Sequence, residues 1–519
     1  MGFINAFKGA YKGFLNNRHE TTTMPRQKRS SYKAAGYDRL NYSWKTNGSS
    51  ADRAIQSDNK TVRNKARDMI RNNVYVKQAM RSLMLNVCGT GTKPQLQIKR
   101  TNGKQNDKLN VAIENEWAKW TRYDSFTANG IDCLASVERK IINTLFSDGE
   151  IFIRLIKKPF GRSQIPLAIE LLEADQIDDD YVDNRTSKVD QWRMGILRDK
   201  FGRAKKYAFL AEHPDDFPLA YKYSSKRHMI VDASEVIHLC LGERVGQTRG
   251  ISWIASALSD MHQLQGFQEA VIIGKRIQSS TMGFISTTDP EGLIGDDVMD
   301  NERVMDFNAG QFHYLGANES ITVPDLGNSN DNFEQFNTVM LRALAAGCGT
   351  SFESVSRDFS KTNYSSSRLS LMEDRDHYRM IQTYLKDHFF QPLYDVWLEL
   401  AVASQVLDLP NYELDSEKFR QVHWMFRGWG YVDPSKEISS YKEAIKAGLK
   451  TQSQIIAEQG GDIHEIMATR KNEIDLAKEL GLNFDVNMSS SPDNVATQGN
   501  IEESTTESNQ ENEENQETT

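Results

Sequence analysis

The chain has 519 residues, 39% hydrophobic and 26% charged, a globular mixture long enough for roughly two to four domains. No run approaches the ~18 consecutive apolar residues of a membrane span, and Met1-Gly2-Phe3-Ile4-Asn5 opens no apolar stretch before a small-residue cleavage site, so neither a span nor a secretory signal is expected. Cys88, Cys133, Cys240 and Cys348 are far apart, which argues against a disulfide framework or a zinc box and fits synthesis in a reducing cytoplasm.

The net charge of −8 is segregated. Residues 1–100 carry 20 Lys/Arg against 5 Asp/Glu, whereas the 31 residues from Ser489 carry 8 acids and no base. The body between them is acidic, and an acidic body does not grip DNA tightly, because that takes net positive surface.

Residues 1–60 read as a basic arm without periodicity, with Tyr32, Tyr37, Tyr42 and Trp44 interleaved among the bases as in a partner-docking segment. Residues 61–87 read as helical and stop at Gly89-Thr90-Gly91. Residues 107–122 form an amphipathic helix with Leu109, Ile113, Trp117 and Trp120 on one face, read as core. From 145 to 245 short strands take over: Glu150 to Leu155, Met194 to Arg198, Lys205 to Leu210 and Glu235 to Leu241, with Asp199-Lys200-Phe201-Gly202 as a hairpin turn. This texture is α+β with an antiparallel sheet.

A long helix is expected from Ile251 to about Ser280, then strands and turns over 281–331, at Gly283-Phe284-Ile285, Gln311 to Leu315 and Ser320 to Pro324. A second helix follows, with Phe333, Phe336, Met340 and Ala343 on one face, ending near Gly347-Cys348-Gly349. The polar stretch Arg357 to Ser367 separates it from a third helix, Arg368 to Leu407, with a kink at Pro392. Residues 434–482 are helical, with Asp433 as N-cap and breaks at Ala447-Gly448-Leu449 and Gln459-Gly460-Gly461. From Ser489 the composition is that of a disordered acidic tail.

Catalytic and metal motifs are missing: no Walker A loop, no HExxH, no GxSxG. His238 and Cys240 share a strand face but are too few for a metal. Asp178-Asp179-Asp180 reads as a solvated turn, and Asp374, Asp376 and His377 as a solvated helix face. No nucleophile, base and oxyanion hole assemble, so no catalytic residue, metal or cofactor is expected and the balance falls toward a structural or conduit role.

Several stretches together resemble the lambda-like branch of phage portal proteins. They are Val62 to Met80 with Arg71-Asn72-Asn73, Gly89-Thr90-Gly91, Trp117 to Trp120, Glu243 to Ile251, Leu341 to Gly347 through Ser356 to Ser360, Asn363 to Arg368, Trp429 to Pro434, and Ala447-Gly448-Leu449. Their order carries the resemblance over about residues 60–485, whereas the arm and the tail lie outside it. Cys348 and Phe352 depart from the more usual family residues.

The resemblance implies a mainly helical α+β subunit, elongated, in a homo-oligomeric ring of about twelve copies at one capsid vertex of the virion. Double-stranded DNA would pass through its channel. The terminase large subunit, major capsid and scaffold proteins, and head-tail connector proteins would be its partners, with no membrane. It implies a wing over 61–250, a first stem helix at 251–280, a clip at 281–331, a second stem helix at 332–347 and a tunnel loop region at 348–367. A long wing helix with its following segment would span 368–433, and a crown 434–488. Candidate channel-facing residues are Arg357, Lys361, Asn363 and Tyr364 of the loop, with Lys275 and Arg276 on the first stem helix. A few bases in an acidic wall would let a duplex slide, because few counterions are released. A different ring-forming connector and a phage DNA-processing enzyme are the competing readings; ring outline and a metal-dependent cleavage assay separate them.

Overall fold

The computed structural model describes residues 48–100, 105–183, 189–216, 228–279, 284–287, 298–299, 302–303, 319–322, 333–360, 363–430 and 434–481. The chain forms two compact units, Met1–Phe426 and Arg427–Thr519. Residues 1–47 of the basic arm, the Gln311 to Leu315 strand, Asp433 and the acidic tail fall outside the described residues, and the end of the expected arm is helical at Ala51–Gln56 and from Asn59.

The first unit begins with α1 (Ala51–Gln56), α2 (Asn59–Asn72) and α3 (Val74–Cys88). The expected single helix is two, because the Asn73 side chain accepts the N–H groups of Tyr75 and Val76 at 3.0 and 3.1 Å and restarts the chain as an N-cap. After β1 (Lys93–Leu96), α4 (Asp107–Trp120) buries both tryptophans, as expected. Trp117 sits within 5.1–5.7 Å, centroid to centroid, of Trp120, Tyr394, Trp397 and Trp424. It thereby joins chain segments about 300 residues apart. The Trp120 indole donates to the Leu167 carbonyl at 2.8 Å.

Next come α5 (Leu134–Asp148), β2 (Glu150–Ile156), β3 (Ala168–Leu172), β4 (Gln191–Arg193), β5 (Ile196–Arg198), β6 (Ala204–Leu210), β7 (His228–Asp232) and β8 (Val236–Cys240). The strands form two antiparallel sheets where one was expected, β3-β2-β8 and the meander β4-β5-β6-β7. Phe152, Leu172, Ile177, Ile196, Tyr207, Phe209, Val231 and Val236 form the core they share. The hairpin turn stands as read: the Asp199 carboxylate accepts the N–H groups of Phe201 and Arg203, each at 2.8 Å.

The first long helix, α6, spans Leu258–Ser279. It starts seven residues later than expected, because Gly250 to Ala257 is taken up by tertiary hydrogen bonds and turns: the Ser252 hydroxyl and Trp253 N–H both donate to the Phe146 carbonyl. Beyond it, β9 (Phe284–Thr287) pairs with β12 (Glu319–Thr322), and β10 (Val298–Met299) with β11 (Glu302–Arg303), all antiparallel.

Helix α7 (Phe333–Cys348) buries Leu341, Leu344, Ala345 and Cys348. This face is rotated from the expected one; Ala343 is exposed, and Phe336 packs on Phe267 while 41% exposed. After α8 (Phe352–Ser356), α9 (Tyr364–Leu385) begins four residues before the expected start. A π turn, Lys386–Phe390, links α9 to α10 (Gln391–Ala403). Pro392 has no N–H for the carbonyl one turn back, and the wider turn absorbs that defect. Helix α11 (Glu417–Arg420) and β13 (Val422–Met425), paired with β1, close the unit.

The second unit holds α12 (Pro434–Lys446), α13 (Gln452–Glu458) and α14 (Ile463–Glu479). Gly448 and Gly460 adopt φ of +70° and +79° at the two expected breaks.

Candidate channel elements and the charged joint behind them

Helices α6 and α7 run antiparallel. Gly347 lies against Ser256 and Ala257, while Phe267 meets Phe336 at 4.8 Å and Phe333 at 5.8 Å. The Gln268 amide donates to Asn337 at 2.8 Å between them. The first turns of α6 bury Leu258, Met261 and Leu264, whereas Ile272 and Ile273 further along are exposed. Lys275 and Arg276 are exposed near the C-terminal end, where cations complement the helix dipole.

At the other end of the pair the chain leaves α7 through Gly349, whose φ is +63°. The His377 ring packs where a Cβ would stand, with Nδ1 2.5 Å from the Gly349 carbonyl oxygen. One turn earlier on α9, Asp374 accepts the hydroxyls of Ser351 at 2.7 Å and Ser354 at 3.1 Å. Burial raises the Asp374 carboxyl above its ordinary range, and the two hydroxyls only partly oppose it. The expected solvated face is therefore half wrong. Asp376 is exposed and pairs with Arg379 at 2.8 Å, but Asp374 and His377 clamp the segment that follows α7.

Arg357 ends α8 in the left-handed region, φ +59°, with its N–H on the Glu353 carbonyl at 3.0 Å. Asp358 then accepts the Ser360 N–H at 2.9 Å and its hydroxyl at 2.6 Å. Asn363 is the N-cap of α9 and accepts the Ser366 N–H at 2.8 Å. Tyr364 is the first residue of that helix instead of a loop residue, and Lys361 lies outside the described residues. Arg357 and Asn363 thus bracket one short loop. Lys275 and Arg276 stand at the opposite end of α6, about 26 Å along the axis from Leu258 at 1.5 Å per residue.

Sequence reasoning missed the joint that fixes the approach to α6. Glu150 and Arg249 are 0% and 1% exposed. Arg249 Nη2 lies 2.7 Å and Nε 2.8 Å from Glu150 Oε1. The other carboxylate oxygen accepts the Gly250 N–H at 2.9 Å and meets His238 Nε2 at 3.2 Å. Arg249 also pairs with Asp179 and donates to the carbonyls of Met194 at 3.0 Å and Ala174 at 3.2 Å. Burial alone would raise Glu150, but Arg249 and His238 outweigh it and hold the carboxyl at about 2. Burial opposes charge on His238 as well; Cys240 and Glu150 overcome it and lift the imidazole to about 9.

The backbones cross here too. A Cβ on Gly149 would strike the Ile251 backbone, and one on Gly250 the Gly149 carbonyl. Thr248 adds its N–H and hydroxyl to Asp52, each at 2.6 Å. The signal in the sequence was an acid opening a mostly apolar strand, a pattern that calls for a buried partner.

This arrangement also reassigns the metal candidates. His238 is committed to Glu150 and stacks on Phe152 at 4.2 Å. In the Asp178 to Asp180 run, Asp179 pairs with Arg249, and Asp178 lies 2.7 Å from His228, so the run is not simply a solvated turn. Glu173, Asp175 and His213 bring ligand atoms together, but Arg63 and Arg67 each hold Asp175 at 2.7 Å, so two guanidiniums already neutralise that carboxylate.

A profile described as "Phage portal protein, lambda family" matches residues 37–382. The chain belongs to the lambda family of phage portal proteins. It is 25% identical over 460 residues to the "Probable portal protein" of Halomonas phage phiHAP-1, covering 87% of each chain. It is 21% identical over 481 residues to "Portal protein B" of Escherichia phage lambda, covering 85% of this chain and 88% of the relative. Among solved structures, a chain from "Neck of empty GTA particle computed with C6 symmetry" aligns with TM-score 0.44 and 12% identity, over 78% of this chain and 93% of the other. A chain from "Virion of native gene transfer agent (GTA) particle" gives 0.43 and 11% over the same shares. Portal proteins are structural components of the virion and not an enzyme family. Among the described residues no helix is long and apolar enough to cross a membrane.

Proposed function

We propose that the chain forms a ring of about twelve copies at one capsid vertex, through which double-stranded DNA is packaged and later ejected. The observation that carries this reading is the family match over 37–382, which takes in both long helices and the short loop after them. In this reading α6 and α7 are the stem, the segment between them is the clip, and the Arg357–Asn363 loop narrows the channel. The two sheets with α9 and α10 are the wing, and the second unit is the crown.

The clip would dock the terminase large subunit during packaging and head-tail connector proteins afterwards. Major capsid and scaffold proteins would meet the outside of the ring. The buried Glu150–Arg249 joint suits such a part, because it fixes how the stem leaves the sheets without needing a large apolar core there. Negative-stain imaging of the purified full-length protein tests the reading. Closed rings with a central hole support it; a monodisperse monomer across salt and with scaffold present overturns it.

A further inference from the structure

The body of the chain is acidic as a whole, but one helix pair within it is not. Helices α2 and α3 carry seven Lys/Arg against one acid, Asp68. The next pair, α4 and α5, carries four bases against five acids, and residues 364–403 carry four against six. Two of the seven bases are taken up inside the fold, Arg63 by Asp175 and Arg67 by Asp148 and Asp175. The other five, Lys60, Lys65, Arg71, Lys77 and Arg81, are all exposed. Among the described residues none of the five pairs with a carboxylate. Helical geometry explains their exposure. In α2 the buried residues Asn59, Arg63, Ala66 and Met69 form one stripe, and Lys60, Lys65 and Arg71 fall on the opposite half of the circumference. In α3, Lys77 and Arg81 lie one turn apart, away from buried Val76, Ala79 and Leu83.

An ordinary solvated helix face mixes both signs, as α4 and α9 do. Unpaired bases at this density are instead the footprint of a polyanion. Two acids share the face: Asp58 at the N-cap of α2, and Asp68, whose carboxylate accepts the Asn72 amide at 2.7 Å. Thr61 and Asn64 are exposed among the bases, and hydroxyl and amide donors of this kind accompany Lys and Arg where a protein meets a phosphate backbone. A wall past which a duplex slides would not carry five such bases in every copy, because it would hold the DNA by all of them at once. The face therefore suits a stationary grip, off the sliding path.

We propose that the exposed side of α2 and α3 binds the phosphate backbone of duplex DNA, without regard to base sequence, and holds it against the ring. The inference rests on the ring reading above, which brings double-stranded DNA to the protein. It adds a contact surface apart from the Arg357–Asn363 loop. Five phosphate contacts give a log–log salt slope of about −4.5, a roughly 500-fold loss of affinity between ~50 and ~200 mM salt.

The test is fluorescence anisotropy of a short labelled duplex titrated with the full-length protein over a series of salt concentrations. Lys60→Gln, Lys65→Gln, Arg71→Gln, Lys77→Gln and Arg81→Gln combined should make the slope shallower by about 4.5, with rings formed in normal yield by size exclusion. Lys60→Arg, Lys65→Arg and Lys77→Arg keep the charge and should keep the slope. Gln at five exposed bases of other elements, Lys99, Lys108, Arg122, Lys157 and Arg203, should leave the slope as in the parent. An unchanged slope in rings of the first variant, or an equal change in the control set, overturns the inference and leaves the ring reading standing. Absence of rings from the parent overturns both. Polyglutamate at matched charge concentration should displace little of the duplex. If it binds the parent as tightly as DNA does, and the first variant loses both, the face is a dock for acidic protein and the choice of DNA is overturned.

Discussion

Arg249 covers the Glu150 carboxylate with two of its guanidinium nitrogens, at 2.7 and 2.8 Å from the same oxygen, in a site closed to solvent. Removing one partner leaves the other charge buried and unpaired, which costs ~3–5 kcal/mol, more than the pair itself contributes. Arg249→Ala should therefore lower unfolding free energy by that order in denaturant melts, and Arg249→Lys should not rescue it, because a lysine cannot reproduce the fork.

The same joint sets an acid and an alkaline limit. The Glu150 carboxyl is depressed to about 2, so its stabilising contribution is present above its ordinary range near 4.5 and is lost as pH falls toward 2. His238 is raised to about 9, so its contribution is complete below about 6.5 and disappears as pH rises through 9. His238→Phe should flatten the alkaline limb of a stability-against-pH curve and move the acid limb to higher pH, because Glu150 then keeps only Arg249 to depress its carboxyl. An unchanged alkaline limb would show that His238 is neutral in the folded protein.

Glu138 behaves in the opposite sense from Glu150. It is 1% exposed and accepts the Thr92 N–H at 3.0 and 3.2 Å and the Thr92 hydroxyl at 3.2 Å. Burial lifts it to about 7 against that help. The folded protein then holds a proton that the unfolded chain releases from about 4.5 upward, so stability falls as pH rises from there to 7. Glu138→Gln keeps an acceptor for Thr92 and carries no charge; it should remove this slope and be the more stable protein at pH 8. Parallel curves for the two proteins would refute the assignment.

Asp374→Ala tests the clamp after α7. It strips the acceptor from two serine hydroxyls, a loss of ~1–3 kcal/mol, and frees the α8 segment from α9. Trypsin should then cut after the exposed Arg357 faster than in the parent, while Asp374→Asn, which keeps an oxygen acceptor, should lie between the two. Identical cleavage rates in all three would mean that His377 and Gly349 alone hold the segment.

Local rules read the elements well where they were self-sufficient. The Trp117 and Trp120 face, the Asp199 hairpin and the glycine breaks at 448 and 460 each followed from a few neighbouring residues. Boundaries set by distant partners were not legible. The start of α6 depends on Phe146 and Glu150, about a hundred residues upstream. The buried face of α7 is chosen by what packs on it, since Phe336 and Ala343 satisfy helical periodicity as well as Leu344 does. Asp374 looked like an exposed acid because Ser351 and Ser354 lie on another element. Charged clusters carry no periodicity, so the Glu150–Arg249 joint showed only as an acid at the head of an apolar strand.

The last prediction separates function from stability at Arg357. A non-glycine residue at φ +59° bears a backbone cost of ~1–2 kcal/mol, and at a helix C-terminus glycine is the usual occupant. Arg357→Gly removes that cost but gives the unfolded chain more freedom, worth ~0.4–1 kcal/mol. The variant should be as stable as the parent or slightly more so, and rings should form in normal yield. A side chain kept against backbone preference needs another reason, and in the channel reading that reason is contact with the duplex, repeated around the ring. Each contact is worth well under ~1 kcal/mol in water, but copies acting together can brake or retain DNA. Arg357→Gly, and Lys361→Ala in the same loop, should therefore lower the DNA content of filled heads while leaving ring yield by size exclusion unchanged. Normal DNA content with intact rings would show that the loop does not touch the duplex; loss of rings would make it an assembly contact.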